Sequence, residues 1–249
     1  MQLLCITTCQ FNSRFLCFNC SLILPMTSSP PKRKSPIIAT GILLSVLLYI
    51  LVSVIRTKFL GSDVSNTNSY FISRLILWVY LLVIYLYVLK VEKQNFLLWP
   101  EKKYSFLFYL ISIVSILVGI ILIAGLLHKV ESYYGWDNSE KLKAMLQLLW
   151  KNKFLLLFTT LSAGIMEELL FRGYLMPRLQ LFFKKPWLTI FISSLLFAAA
   201  HYSYGSWSQA INPFFIGLIF AWHYQKYRNI KVLMICHFLI DFISVLTTH

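Results

Sequence analysis

Long apolar runs, separated by short stretches where the charges collect, set the pattern of this chain. The first run is Ile37–Ile55, IIATGILLSVLLYILVSVI, and the second is about Leu75–Leu89, LILWVYLLVIYLYVL. The third is Phe106–Leu127, and the fourth is about Phe154–Phe171, with a helix that reads on to about Leu181. Trp187–Ala200, Ile211–Tyr224 and Val232–Leu246 complete the set. A membrane-crossing helix takes about 20 mostly apolar residues. The pattern therefore predicts an all-α, polytopic transmembrane helix bundle of about seven spans, with its polar site buried among the C-terminal helices. The expected organisation is a disordered N-terminal tail (1–36), three transmembrane helices (37–127), a connecting segment with an amphipathic helix (128–153) and a C-terminal core (154–247).

Composition agrees with a membrane setting. Of the 249 residues, 58% are hydrophobic, above the 45–50% usual for a soluble domain. Only nine are acidic, and Glu167, Glu168 and Asp241 lie inside apolar runs. The formal net charge of +14 is scattered over the flanks, and no binding motif accompanies it, which argues against a nucleic-acid partner. Lys and Arg number three in 32–34, three from Arg56 to Arg74, four from Lys90 to Lys103 and five from Lys129 to Lys153. Three follow in 178–185, none in 202–210, three in 226–231 and none after Leu246. The positive-inside rule then puts 178–185 and 226–231 in the cytoplasm. With seven spans this gives a multi-pass protein of the cell (plasma or inner) membrane whose N-terminus is cytoplasmic. The Lys129–Lys153 connection departs from the alternation. Its SEKLKAMLQLLW stretch reads as a helix lying at the interface.

The first 25 residues hold Cys5, Cys9, Cys17 and Cys20. Cys17 and Cys20 form a C-x-x-C pair, but the other spacing is C-x-x-x-C and no zinc scaffold surrounds them. Arg14 interrupts the apolar run that a signal peptide needs. Residues 1–25 read as upstream sequence, with Met26 opening a polar, basic tail, MTSSPPKRKSP. Cys236, in the last run, reads as core packing.

A carboxylate in the bilayer core costs about 2.5–3.5 kcal/mol even on the lenient insertion scale, so an acid there is a functional candidate. Glu168 and Arg172 stand four apart, on one helix face, and can form an internal ion pair that only holds the helix. Glu167 points about 100° away and has no cation close in sequence. His201 closes FAAAH (197–201), whose alanines let a neighbouring helix approach. His237 and Asp241, again four apart, lie in HFLID (237–241). Taken singly, each is an interfacial histidine or a polar pair joining helices. Taken together, two glutamates, two histidines and an aspartate on three apolar helices form the set that water-activating chemistry uses. A carboxylate can take the proton, and histidines can orient the water, hold a metal or stabilise an oxyanion.

In this order the motifs EELLFR (167–172), FAAAH and HFLID resemble the EExxxR, FxxxH and HxxxN/D motifs of the CAAX protease and bacteriocin-processing family. That family, CPBP, is also called the Abi or type II CAAX endopeptidase family and consists of intramembrane proteases. The FFIGLIFAWHY stretch with Gly217 resembles the family's glycine-containing span, and the resemblance covers about Leu155–Leu246. It implies a hydrolase in which Glu167 is the general base and His201 holds the water. His237 and Asp241 would stabilise the oxyanion, while Glu168 and Arg172 orient the site. Asp241 departs from the asparagine of many members. The resemblance leaves open a metalloprotease, with a divalent metal such as zinc held by Glu167, His201 and His237, and a metal-free glutamate mechanism. The HExxH pattern of common zinc proteases is absent. The implied partners are the lipid bilayer and a membrane-anchored or prenylated (CAAX-type) protein or peptide. The chain's own end, SVLTTH, is not a CAAX box. Two other classes stay open: a non-catalytic immunity or scaffold factor, and a proton-coupled transporter. The transporter reading calls for an internal repeat that the sequence does not display.

Overall fold

The computed structural model describes residues 36–60, 66–135, 140–202 and 206–247, apart from the side chains of 56–60. The tail with Cys5, Cys9, Cys17 and Cys20 lies outside the described residues. Those described form nine α-helices and no strand: α1 (Pro36–Leu60), α2 (Thr67–Tyr87), α3 (Phe106–Tyr134), α4 (Glu140–Lys151), α5 (Lys153–Glu168), α6 (Met176–Phe182), α7 (Pro186–His201), α8 (Ser208–Tyr227) and α9 (Ile230–Thr247). Two π-helical segments extend α2 through Val88–Glu92 and join α5 to α6 through Leu169–Leu175.

Five helical stretches are long and apolar enough to cross a bilayer: Pro36–Ile55, Thr67–Glu92, Phe106–Tyr134, Lys153–Phe182 and Ile230–Thr247. The remaining two expected spans fall short, for different reasons. α7 has only 16 residues. α8 has 20 but carries Gln209, Asn212, Pro213 and His223. The two pack tightly on each other. A Cβ on Gly217 would stand 3.1 Å from Ser194 Cβ and 3.2 Å from its Cα, so glycine is what permits the approach. The outer faces of α1, α2 and α3 expose large apolar side chains such as Leu47, Val79 and Leu122, as lipid-facing helices must.

Local chemistry sets the ends. Asn66 caps α2 by accepting from Asn68 N and Ser69 N, and Asn152 caps α5 by accepting from Leu155 N. Arg228, at φ 50°, closes α8 in the left-handed region, and Asn229 then accepts from Val232 N at the head of α9.

Side-chain bonds tie the helix ends into two groups. Tyr87 donates to Ile37 O at 2.8 Å, Tyr104 to Tyr227 O at 3.0 Å and Asn229 to Lys102 O at 2.9 Å. The start of α1, the end of α2, the start of α3 and the α8–α9 turn thus share one end. Asn212 donates to Glu131 Oε1 at 2.7 Å, which puts the end of α3 and the start of α8 at the other. α4, the amphipathic element between α3 and α5, lies at that second end and packs on α5 and α9.

At the first end Arg178 and Glu92, both with fully buried side chains, form an ion pair. Arg178 Nε and Nη2 donate to Glu92 Oε2 at 2.9 and 2.6 Å, and Nη1 donates to Phe96 O and Tyr174 O. Tyr174 donates to Glu92 Oε1 at 3.0 Å. A Cβ on Gly41 would stand 2.5 Å from that same oxygen, so α1 seats on this cluster. Arg178 is therefore not a solvated flank charge, as the alternation of basic residues implied. It clamps α6 to the end of the α2 extension.

Candidate active site

α5 and α9 are pressed together where the glutamates sit. A Cβ on Gly164 would lie 2.8 Å from Met234 O and 3.0 Å from Phe238 N. That close approach delivers His237 between the two glutamates. Glu168 Oε1 stands 2.8 Å from His237 Nδ1 and 2.9 Å from Arg172 Nη1. Since Glu168 already accepts from Arg172, His237 Nδ1 carries the proton of the second bond. Glu167 Oε2 stands 3.8 Å from the other ring nitrogen, Nε2. The 100° between successive helix positions thus puts adjacent carboxylates on opposite edges of one imidazole.

His201 enters from the end of α7. Its Nδ1 donates to Phe197 O at 2.9 Å, because a carbonyl only accepts. This leaves Nε2 with a lone pair, 3.6 Å from Glu167 Oε2. Asp241, one turn beyond His237, places Oδ2 at 3.6 Å from His237 Nε2. All six residues singled out in the sequence (Glu167, Glu168, Arg172, His201, His237 and Asp241) fall in one cluster.

The π-helical turn after Glu168 supports it. The wider turn leaves backbone carbonyls to satisfy, and buried Ser193 donates to Phe171 O at 3.2 Å. Arg172 Nη2 reaches Gly217 O at 3.4 Å. The Arg172 guanidinium lies 4.4 Å from the Phe197 ring centroid and 5.4 Å from that of Phe220, a cation–π enclosure. Phe197 also packs on His201 and His237, at 4.6 and 5.9 Å between centroids. The Phe of the FxxxH pattern is thus the common floor under the arginine and both histidines.

Glu167 Oε2 is buried with no hydrogen-bond partner, although the side chain as a whole is 21% exposed. Gaps of 3.6 and 3.8 Å exceed a direct hydrogen bond and fit one water touching carboxylate and imidazole together. Glu167, His201 and Asp241 line a cavity of about 200 Å³ with Tyr70, Arg74 and the inner face of α4. Tyr70 and Arg74 were not singled out in the sequence, where Arg74 counted as a flanking charge. Among the described residues, no group of three or more His, Cys, Asp or Glu side chains is placed to hold a metal ion. Glu167, His201 and His237 do not form such a group.

Comparison with curated proteins and with solved structures returns no match. A protein-family model does match, over residues 149–243, and its description is type II CAAX prenyl endopeptidase, Rce1-like. The matched segment runs from the end of α4 into α9 and contains all six clustered residues. The apolar helices together with this match make the chain an integral membrane protein, and residues 149–243 are similar to the Rce1-like type II CAAX prenyl endopeptidases.

Proposed function

We propose that this protein is an intramembrane endopeptidase that hydrolyses a peptide bond of a membrane-associated or prenylated substrate by glutamate-activated water. The observation that carries this reading is the buried, unpartnered Glu167 Oε2 facing two imidazole nitrogens. A water between Glu167 and His201 donates one hydrogen to each, and its oxygen lone pair points at an incoming carbonyl carbon. Glu167 takes the proton as the C–O bond forms. His237, held by Glu168 through Nδ1, presents Nε2 to the developing oxyanion and stabilises it as the imidazolium. Asp241 stabilises the charged form of that ring. The tetrahedral intermediate collapses, the C–N bond breaks, and the amine leaves with the proton from Glu167. Glu168 and Arg172 touch no substrate in this scheme and act by positioning His237.

The protein would sit in the plasma membrane with its N-terminus in the cytoplasm, because Lys90, Lys93, Lys102, Lys103, Lys184 and Lys185 gather at the first end of the bundle. The test uses purified protein in liposomes with a library of membrane-anchored peptides, farnesylated C-termini included, and mass spectrometry of products. Wild type should yield cleaved peptides, while Glu167→Gln and His201→Ala should yield none. Equal function of Glu167→Gln and wild type in cells would favour a non-catalytic scaffold instead.

A further inference from the structure

The main packing partners of α1 are α2, the π-helical extension of α2 and α6, and those of α7 are α8, α6 and the π-helical turn after Glu168. Between α1 and α7 this leaves a crevice of about 340 Å³, within the roughly 300–1,000 Å³ of sites that enclose a small ligand. Its floor is Tyr80 of α2 with Leu170, Phe171 and Leu175 of the π-helical turn, all buried. Its mouth carries Ile50 and Val54 of α1, 53% and 56% exposed, and exposed Ala199 of α7. The mouth is thus continuous with the lipid-facing surface of α1. Among the described residues, no charged side chain lines the crevice. Ser45 donates to Ile42 O at 2.7 Å, and Tyr80 donates to Ser45 O at 2.9 Å. A water held in a cavity needs about two to four polar partners, and these walls are mostly aliphatic and aromatic. At about 1.5 Å per residue, Ser45–Val54 lies about 14–27 Å along α1 from Pro36. In a hydrocarbon core of about 30 Å, the crevice therefore runs from near the midplane towards the second end of the bundle.

We infer that an acyl chain of a bilayer phospholipid, entering from the leaflet at the second end, fills this crevice as a resident ligand. Hydrocarbon is what surrounds the mouth, and an empty crevice forfeits the dispersion contacts of its walls. Among the described residues, the crevice and the cavity over Glu167 share no lining residue, so a peptide seated at Glu167 does not fill it. The position gives the chain a task. The Phe171 ring meets Phe197 edge to face, with centroids 5.1 Å apart, and Phe197 is the floor under Arg172, His201 and His237. A chain against Phe171 backs the packing on which both histidines rest. The assignment concerns binding, and it stands whether or not the cluster hydrolyses peptides.

The experiment uses full-length protein in phosphatidylcholine liposomes that contain a small fraction of the same lipid with a diazirine on one acyl chain. After irradiation, mass spectrometry maps the labelled residues. Exposed Leu122 of α3 reports lipid that merely surrounds the protein, whereas the buried side chains of Leu170, Phe171 and Leu175 report a chain inside the crevice. Wild type should be labelled at both places. Ala199→Trp, which sets an indole in the mouth, should lose the label at the three floor residues and keep it at Leu122. Val54→Trp narrows the mouth from the opposite wall and carries the test where Ala199→Trp does not fold. Absence of floor label in wild type, or floor label unchanged in both variants, overturns the assignment. So does displacement of the floor label by a farnesylated peptide, which would give the crevice to the lipid group of a substrate instead.

Discussion

Replacing Glu168 by glutamine should unsettle the fold as well as stop turnover, whereas the same change at Glu167 should stop turnover alone. The side chains of Glu168 and Arg172 have no exposed surface. Glutamine keeps the shape of Glu168, so no cavity opens. What disappears is the negative charge that Arg172 and His237 share at 2.9 and 2.8 Å. Arginine does not shed its proton in proteins, so Arg172 becomes an uncompensated buried cation, at a cost of about 3–5 kcal/mol. A chain of this size loses about 2–4 °C per kcal/mol, which predicts a melting point lower by roughly 10 °C. Glu167 is different. Its Oε2 has no hydrogen-bond partner to lose, and its neighbours stand at 3.6 and 3.8 Å. Its change to glutamine should alter stability by less than about 1 kcal/mol, the scale of an ordinary hydrogen bond. The assay is thermal unfolding in detergent, followed by tryptophan fluorescence, beside peptide turnover on the same preparations. Wild-type melting of Glu168→Gln would refute the argument that a charged pair positions His237. A large drop for Glu167→Gln would make Glu167 a structural residue.

Gly164→Ala places a methyl 2.8 Å from Met234 O, where about 3.4 Å is needed. The shift of α9 should cut kcat by roughly tenfold, since a misplacement of about 1 Å costs about a hundredfold, and full activity would refute it. Strong chelators should leave turnover unchanged, and recovery of activity by added zinc after chelation would overturn the metal-free mechanism. Single cysteines at Lys102→Cys and Lys143→Cys, with the native cysteines replaced by serine, should react from opposite sides with an impermeant maleimide. Labelling of Lys143→Cys from outside matches the charge bias and opens the cavity outward. Labelling from inside reverses the bundle and refutes the proposed orientation.

The six clustered residues were legible because charge is rare inside apolar helices and because positions four apart share a face. EELLFR and HFLID declare their own pairs, Glu168 with Arg172 and His237 with Asp241. What joins the pairs was not legible. Gly164 and Gly217 look like ordinary small residues until the partner helix is in view. Arg178 reads as a flank charge because the partner that draws it inward, Glu92, lies far along the chain. The different character of two of the seven expected spans was hidden for a related reason. An apolar run that packs against another helix looks like one that faces lipid, and α7 and α8 are packed on each other.

The clamp between Glu92 and Arg178 bears on how such a chain can be taken apart. The matched segment 149–243 contains all six clustered residues, which invites truncation to a minimal version. Truncated at residue 149, the fragment would keep Arg178 and lose Glu92, its only carboxylate partner among the described residues, leaving a buried cation without its counter-charge. The same logic governs chimaeras. N-terminal helices grafted from another protein onto this core must bring an acid to the depth of Glu92, or the host must first surrender Arg178. The two halves are thus bound by a charge that neither can carry alone, and they are expected to have been inherited, and to be engineered, as a unit.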